Sequence, residues 1–290
     1  MSEAYQQLLR ATIEHLERLR SRGVRFVPAS TDAAASLSRP PAGRTARRSA
    51  PTTEKQPAPP TPETSPAAPV VRLRPPAPGE NKQRALETLQ AEATACVRCP
   101  NLAAARAHVV FGVGNPEAAL MFVGEAPGAD EDAQGEPFVG AAGRLLDKII
   151  QAMGLRREEV YIANVLKCRP DTPGRRSGNR KPTPEEMATC KPFLLRQVEI
   201  IRPRVVVALG VTAMEGLFER RCVITRERGR YQDFGGIPVM PTYHPAYLLH
   251  HESVREKRKV WEDMLRVMET LGMEITEKQR GYFLKARSQS

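Results

Sequence analysis

The distribution of proline constrains this chain more than any other feature. Half of its 26 prolines fall between Pro28 and Pro78, in a stretch otherwise dominated by Ala, Thr, Ser and Arg. Such a composition buries too little apolar surface to offset the entropy of ordering it, so residues 28–79 read as a disordered linker. The folded part of the 290-residue chain is thereby confined to about 80–272, enough for one substantial domain. Upstream, Leu8, Leu9, Ile13, Leu16 and Leu19 recur at helical spacing and predict an amphipathic helix within residues 1–27. Residues 273–290 read as a charged peripheral tail.

From residue 80 onward, apolar runs alternate with helical patterns. Helices are predicted over 81–95, 143–153, 183–201, 211–219 and 252–271. Strands are predicted over 108–113, 119–124, 160–165, 205–209 and 237–242. Thr183-Pro184-Glu185-Glu186 supplies a cap, a first-turn proline and acids suited to the positive end of a helix. The run Val205–Leu209 is short and wholly apolar, as a strand covered on both faces must be. The alternation argues for an α/β sandwich built on a mostly parallel sheet.

The 44 Lys and Arg against 33 Asp and Glu leave a net charge of +11. That balance favours a polyanionic partner, nucleic acid before an anionic membrane surface. No apolar run approaches the roughly 18–20 residues of a membrane span. The N-terminus, with Glu3, Glu14 and Glu17, lacks the apolar core of a signal peptide, so a cytoplasmic protein is expected. Five cysteines do not make a disulfide framework in a chain of this size; they point to metal binding or catalysis. Cys96-x-x-Cys99, with Cys168 and Cys190, offers four thiolates to one centre, and spacing alone leaves zinc and iron–sulfur both open. Cys222 stands apart and reads as a core residue.

Three loops at strand ends carry the chemistry, where open α/β sheets place their ligands. The first runs Gly124-Glu125-Ala126-Pro127-Gly128-Ala129-Asp130-Glu131-Asp132 and continues to Pro137-Phe138-Val139-Gly140. Its glycines bring backbone N–H groups and acids together, and Phe138 sits where its ring can face a ligand. The second, Asn164-Val165-Leu166-Lys167-Cys168-Arg169-Pro170, presents an amide able to donate to and accept from one base edge. The third, His244-Pro245-Ala246-Tyr247-Leu248-Leu249, sets a histidine ahead of a proline. A dinucleotide fingerprint fails after Gly112-Val113-Gly114, because Glu117 stands where its last glycine belongs, and no phosphate loop is present.

These motifs, in this order and with the four cysteines, resemble the family 4 uracil-DNA glycosylases over roughly residues 85–270. The resemblance implies a three-layer α/β/α fold around a central, mostly parallel four-stranded sheet. It also implies a [4Fe-4S] cluster on Cys96, Cys99, Cys168 and Cys190, structural rather than redox in role. Phe138 would stack on a flipped-out uracil and Asn164 would read its O4/N3 edge. Glu131 would crowd C5 against thymine, while Gly124, Glu125 and Ala126 would line the O2 side. His244 would support the charge that develops on the leaving base, and Glu125 is the acid favoured to position the water. The implied substrate is uracil-containing DNA, single- or double-stranded, acted on by a monomer.

One departure lies between Cys168 and Cys190, where residues 171–181 are longer than usual for the family and rich in Arg. A related branch carries there a histidine that traps the sugar covalently. This chain has none, so turnover is expected. Lys167, Arg175, Arg176, Arg180 and Arg255 are candidates for phosphate contact. The rival readings are a uracil-DNA binding protein with a weak or trapping site, and an iron–sulfur electron carrier, which the basic charge disfavours. The N-terminal helix is a candidate docking element for a repair or replication partner.

Overall fold

The computed structural model describes residues 81–170, 180–251 and 253–284, with positions 17, 73, 74 and 79 besides. The chain divides into two units, Met1–Pro62 and Glu63–Ser290. Of the first, only Glu17 is among the described residues, and it is helical. The expected N-terminal helix and proline-rich linker therefore lie almost wholly outside the described residues.

The first helices described in the second unit are α1 (Lys82–Thr94), capped by the Asn81 side chain, and a short α2 (Pro100–Ala105). Strand β1 (Val113–Gly114) and strand β2 (Leu120–Gly124) follow. Helices α3 (Ala129–Gln134) and α4 (Ala141–Ala152) lead to β3 (Tyr161–Asn164). The long α5 (Pro184–Ile201) opens on the expected cap, with Thr183 Oγ1 accepting from the Glu186 N–H. Then come β4 (Val205–Leu209), α6 (Val211–Phe218), α7 (Ile224–Glu227), β5 (Gln232–Phe234) and β6 (Ile237–Thr242). Helices α8 (Pro245–His250), α9 (Val254–Leu271) and α10 (Glu277–Gly281) complete the unit.

The sheet has six strands in the order β1-β3-β2-β4-β6-β5. Its four central strands run parallel, and the short β1 and β5 pair antiparallel at the edges. The expected four-stranded parallel core is thus flanked by two further strands. Alternate side chains of each central strand enter two separate cores. Met121, Val123, Val206 and Ala208 face α1, α5 and α6. Leu120, Phe122, Val205 and Val207 face α4 and α9. Burial on both faces explains why β2 and β4 carry no polar side chain.

Two segments depart from the sequence reading. The strand expected over 108–113 is reduced to Val113–Gly114. Gly112 takes φ 143, and a Cβ there would lie 3.0 Å from Gln197 Nε2, so the chain turns away from β3 around a buried amide. The tail expected to be peripheral folds back over 273–284. Trp261 Nε1 donates to the Gln279 carbonyl at 2.6 Å, Gln279 Nε2 donates to Ala152 O at 2.9 Å, and Met273, Ile275 and Tyr282 pack on the second core.

Candidate active site

At the C-terminal edge of the parallel strands the chain leaves β2, adds β3 on one side and β4 on the other. Crevices form at such reversals. Gly124 ends β2, Asn164 ends β3 beside it, and His244 lies two residues past β6.

Gly124, Phe138 and Asn164 build one wall. A Cβ on Gly124 would lie 2.3 Å from Asn164 Oδ1 and 2.6 Å from Phe138 Cζ, so only glycine lets the three meet. Phe138 is buried with φ 55, a left-handed backbone that costs a residue bearing a Cβ. The first turn of α4 holds it there, since a Cβ on Gly143 would fall 1.8 Å from the Phe138 carbonyl oxygen. Asn164 is only 2% exposed, yet its Oδ1 has no hydrogen-bond partner among the described residues. A buried acceptor left unpaired costs about 1–3 kcal/mol, a cost that a ligand donor or a bound water would relieve.

Glu131, expected against the base, also holds its own loop. Its Oε1 accepts from the N–H groups of Val139 and Gly140, each at 3.1 Å, and its Oε2 accepts from Gly128 N–H at 3.0 Å. One carboxylate thus struts both halves of the 128–140 loop, because loop N–H groups lacking a backbone partner converge on it. Glu125 and Ala126 follow Gly124, both partly exposed, and the Glu125 carbonyl accepts from Leu166 N–H at 3.1 Å.

His244 forms the facing wall. Its ring stacks beside that of Phe138, with centroids 5.6 Å apart. Nδ1 accepts from the Ala246 N–H at 3.1 Å, capping α8, and this places the proton of the neutral ring on Nε2. Burial pushes the imidazole down to about 4, against a smaller upward pull from the Glu131 carboxylate. The ring is therefore neutral at neutral pH.

A clamp that sequence reading missed lies behind this histidine. Asp263, 1% exposed on α9, accepts from Thr242 Oγ1 at 2.6 Å and pairs with Arg228 at 2.6 Å. Burial pushes its carboxyl up to about 6, opposed by the Thr242 hydrogen bond and the Arg228 charge. Arg228 and Lys259 also lie over the Tyr243 ring. The available signal was an acid within the apolar stripe of Trp261, Met264 and Val267.

The four cysteines converge. Cys96, Cys99, Cys168 and Cys190 line one cavity with Leu102, Arg106, Leu166 and Thr189. Arg98 Nε donates to Cys96 Sγ at 3.4 Å, Arg106 Nη1 to Cys168 Sγ at 3.2 Å and the Lys167 N–H to Cys190 Sγ at 3.3 Å. Burial raises the thiols of Cys99, Cys168 and Cys190, the last to about 11. For Cys96 burial also raises the thiol, but hydrogen bonds and charge from Arg98 outweigh it and the net shift is downward. Among the described residues, no group of three or more Cys, His, Asp or Glu is arranged to hold a single metal ion. Cys222 is buried apart from this cavity.

One expected phosphate contact is corrected. Lys167 is 1% exposed and spends its ammonium on the Asn164 carbonyl and Gln197 Oε1, so it faces no solvent from which DNA could approach. Arg180 pairs with Glu186 at 2.8 and 2.5 Å beside the start of α5 and stays partly exposed. Arg255 is exposed on the first turn of α9. Arg175 and Arg176 lie outside the described residues. No helix among the described residues is long and apolar enough to cross a membrane.

Residues 111–265 match the family model of the uracil DNA glycosylase superfamily, a span that contains every wall of this site. The chain is 46% identical over 185 residues to the type-4 uracil-DNA glycosylase of Thermotoga maritima, covering 63% of the chain and 93% of that relative. Its counterpart in Archaeoglobus fulgidus is 44% identical over 60% of the chain and 87% of its own length. That of Sulfurisphaera tokodaii is 38% identical over 71% and 93%. The chain belongs to the type-4 uracil-DNA glycosylases.

Proposed function

We propose that this protein hydrolyses the N-glycosidic bond of deoxyuridine in DNA, releasing uracil and leaving an abasic site. The observation that carries the reading is the buried Asn164 Oδ1, without a partner among the described residues, at Gly124 beside the Phe138 ring on which His244 stacks. Uracil N3–H is the donor that oxygen lacks, and the Asn164 amide N–H suits O4. Cytosine presents an acceptor at N3 and donors at C4, so it leaves the same amide mispaired, at about 1–3 kcal/mol.

The base must leave the stack before its glycosidic bond is accessible. Phe138 offers it a ring to stack on, and the tight Gly124 turn lets the backbone of Glu125 and Ala126 approach. As the bond breaks, the sugar becomes oxocarbenium-like and negative charge grows on uracil. The Nε2–H of neutral His244 donates to O2 and stabilises that charge without a prior proton transfer. Glu125, at the mouth of the first loop, positions the attacking water. Exposed Arg255 meets a phosphate, with Arg175 and Arg176 as further candidates.

The four thiols fit a [4Fe-4S] cluster. They line one cavity, and N–H donors reach three of the sulfurs, as a thiolate-held cluster requires. When bound, the cluster would tie the loop of Cys96 and Cys99 to Cys168 and Cys190. Its iron–sulfur absorbance would separate it from colourless zinc.

The test is release of uracil from a uracil-containing oligonucleotide by protein whose visible absorbance is intact. Turnover beyond one equivalent is the expected result. No release, or a stable protein–DNA adduct in place of turnover, rejects the reading.

A further inference from the structure

We infer that Lys167 and Gln197 form a buried bridge that positions Asn164 for base reading. The inference rests on the reading of Asn164 as the amide that recognises the base. β1 and β3 pair Val113 with Ile162 and Gly114 with Tyr161. Continuing that register would set Phe111 opposite Asn164. The ladder stops short of that pair, at Val113 and Ile162, and Gly112 takes φ 143. On its other side Asn164 is tied to β2, and the next residue continues the tie, with Val165 N–H donating to Gly124 O at 3.0 Å.

Side chains fill the break. Lys167 Nζ donates to the Asn164 carbonyl at 2.9 Å and to Gln197 Oε1 at 2.5 Å. Gln197 Nε2 then donates to the Phe111 carbonyl at 2.9 Å and lies 3.2 Å from the Tyr161 hydroxyl. Asn164 O, Lys167, Gln197 and Phe111 O thus form one chain of hydrogen bonds. It spans the gap that paired strands would have closed. Gln197 is 0% exposed and Lys167 1%, so water does not substitute for either.

Two features make this a device for the site rather than general packing. Lys167 holds the backbone of the very residue whose side-chain oxygen is left open. Lys167 is also fixed at both main-chain ends, by Cys190 Sγ on its N–H and by Val110 N–H on its carbonyl at 2.8 Å. The bridge therefore has little freedom to follow Asn164 if the amide is displaced. Misplacement of a contacting group by about 1 Å can cost on the order of 100-fold in rate.

The experiment is a double-mutant cycle between Lys167→Met and Asn164→Ala, read as kcat and KM on a uracil-containing oligonucleotide and as inhibition by free uracil. Visible absorbance and thermal melting identify folded, cluster-bearing protein. Lys167→Met should lower kcat roughly 10–100-fold with a smaller change in KM, and weaken inhibition by uracil. Asn164→Ala added to it should then cost little more, since both changes disable one amide. If the two losses multiply in full, or if only the melting temperature moves, the bridge does not act through Asn164 and the inference is overturned. A wild-type rate for Asn164→Ala alone would overturn the base-reading assignment, and this inference with it. Where Lys167→Met does not fold, Gln197→Met takes its place in the same cycle, because it removes the bridge without touching Asn164 or a cysteine.

Discussion

The two walls of the site are mounted in different ways. Asn164 is held from the first core, by a lysine and a glutamine whose hydrogen bonds end on backbone carbonyls. His244 follows a strand end held from the opposite face of the sheet, where Asp263, ion-paired with Arg228, accepts from the Thr242 hydroxyl. The base reading and charge stabilisation proposed for them would therefore rest on separate supports, and a fault in one need not spread to the other.

The largest effects should come from the walls themselves. His244→Ala removes a donor aimed at developing charge and is expected to lower kcat about 100- to 1000-fold, with melting temperature and visible absorbance retained. A similar fall in Tm and in rate would break the comparison, since it would make the histidine part of the frame. Gly124→Ala should approach the same loss, near 100-fold, because its Cβ would lie 2.3 Å from Asn164 Oδ1 and force the wall apart. Single-turnover rates on folded protein measure both.

A change in the mount behind His244 should read out mainly as stability. Asp263→Ala strands Arg228 and costs about 3–5 kcal/mol, a fall in Tm on the order of 10 °C. Unchanged melting would show that the clamp is not under load.

The smallest effect sharpens the comparison through pH. Folded His244 titrates near 4, below its unfolded 6.5, so between those values the unfolded chain binds more protons and stability falls as pH falls. Asp263 titrates near 6 when folded, above its unfolded 3.8, so over nearly the same window stability falls as pH rises. The two slopes oppose. His244→Gln should tilt the curve toward lower stability at higher pH, and Asp263→Asn should tilt it the other way. Urea unfolding at pH 4 to 6.5 measures the tilt, and parallel curves for both variants would contradict the assigned shifts.

What sequence could read follows from distance along the chain. The three strand-end loops, the four cysteines and the Thr183 cap are local patterns, each complete within a few residues. Lys167 misled because a lysine in a polar, arginine-bearing loop motif looks like a phosphate contact. Its acceptor Gln197 lies 30 residues away on the buried face of α5. The strut role of Glu131 was hidden for a similar reason: the N–H groups that it accepts from belong to both ends of its own loop, and a string of acids does not show which one turns inward. The shortening of the expected strand at 108–113 also depends on Gln197, so one buried amide accounts for two of the departures.

The open oxygen of Asn164 bears on more than recognition. A fold carrying an unmet acceptor is completed by any small molecule that brings the missing donor, and the released base is such a molecule. By ligand linkage, uracil at about 100 times its dissociation constant would add about 2.7 kcal/mol to the folded state. On the proposed reading the reaction product would be a protectant as well as an inhibitor. The protein would then resist heat best with its base site full, and work only once that site had emptied.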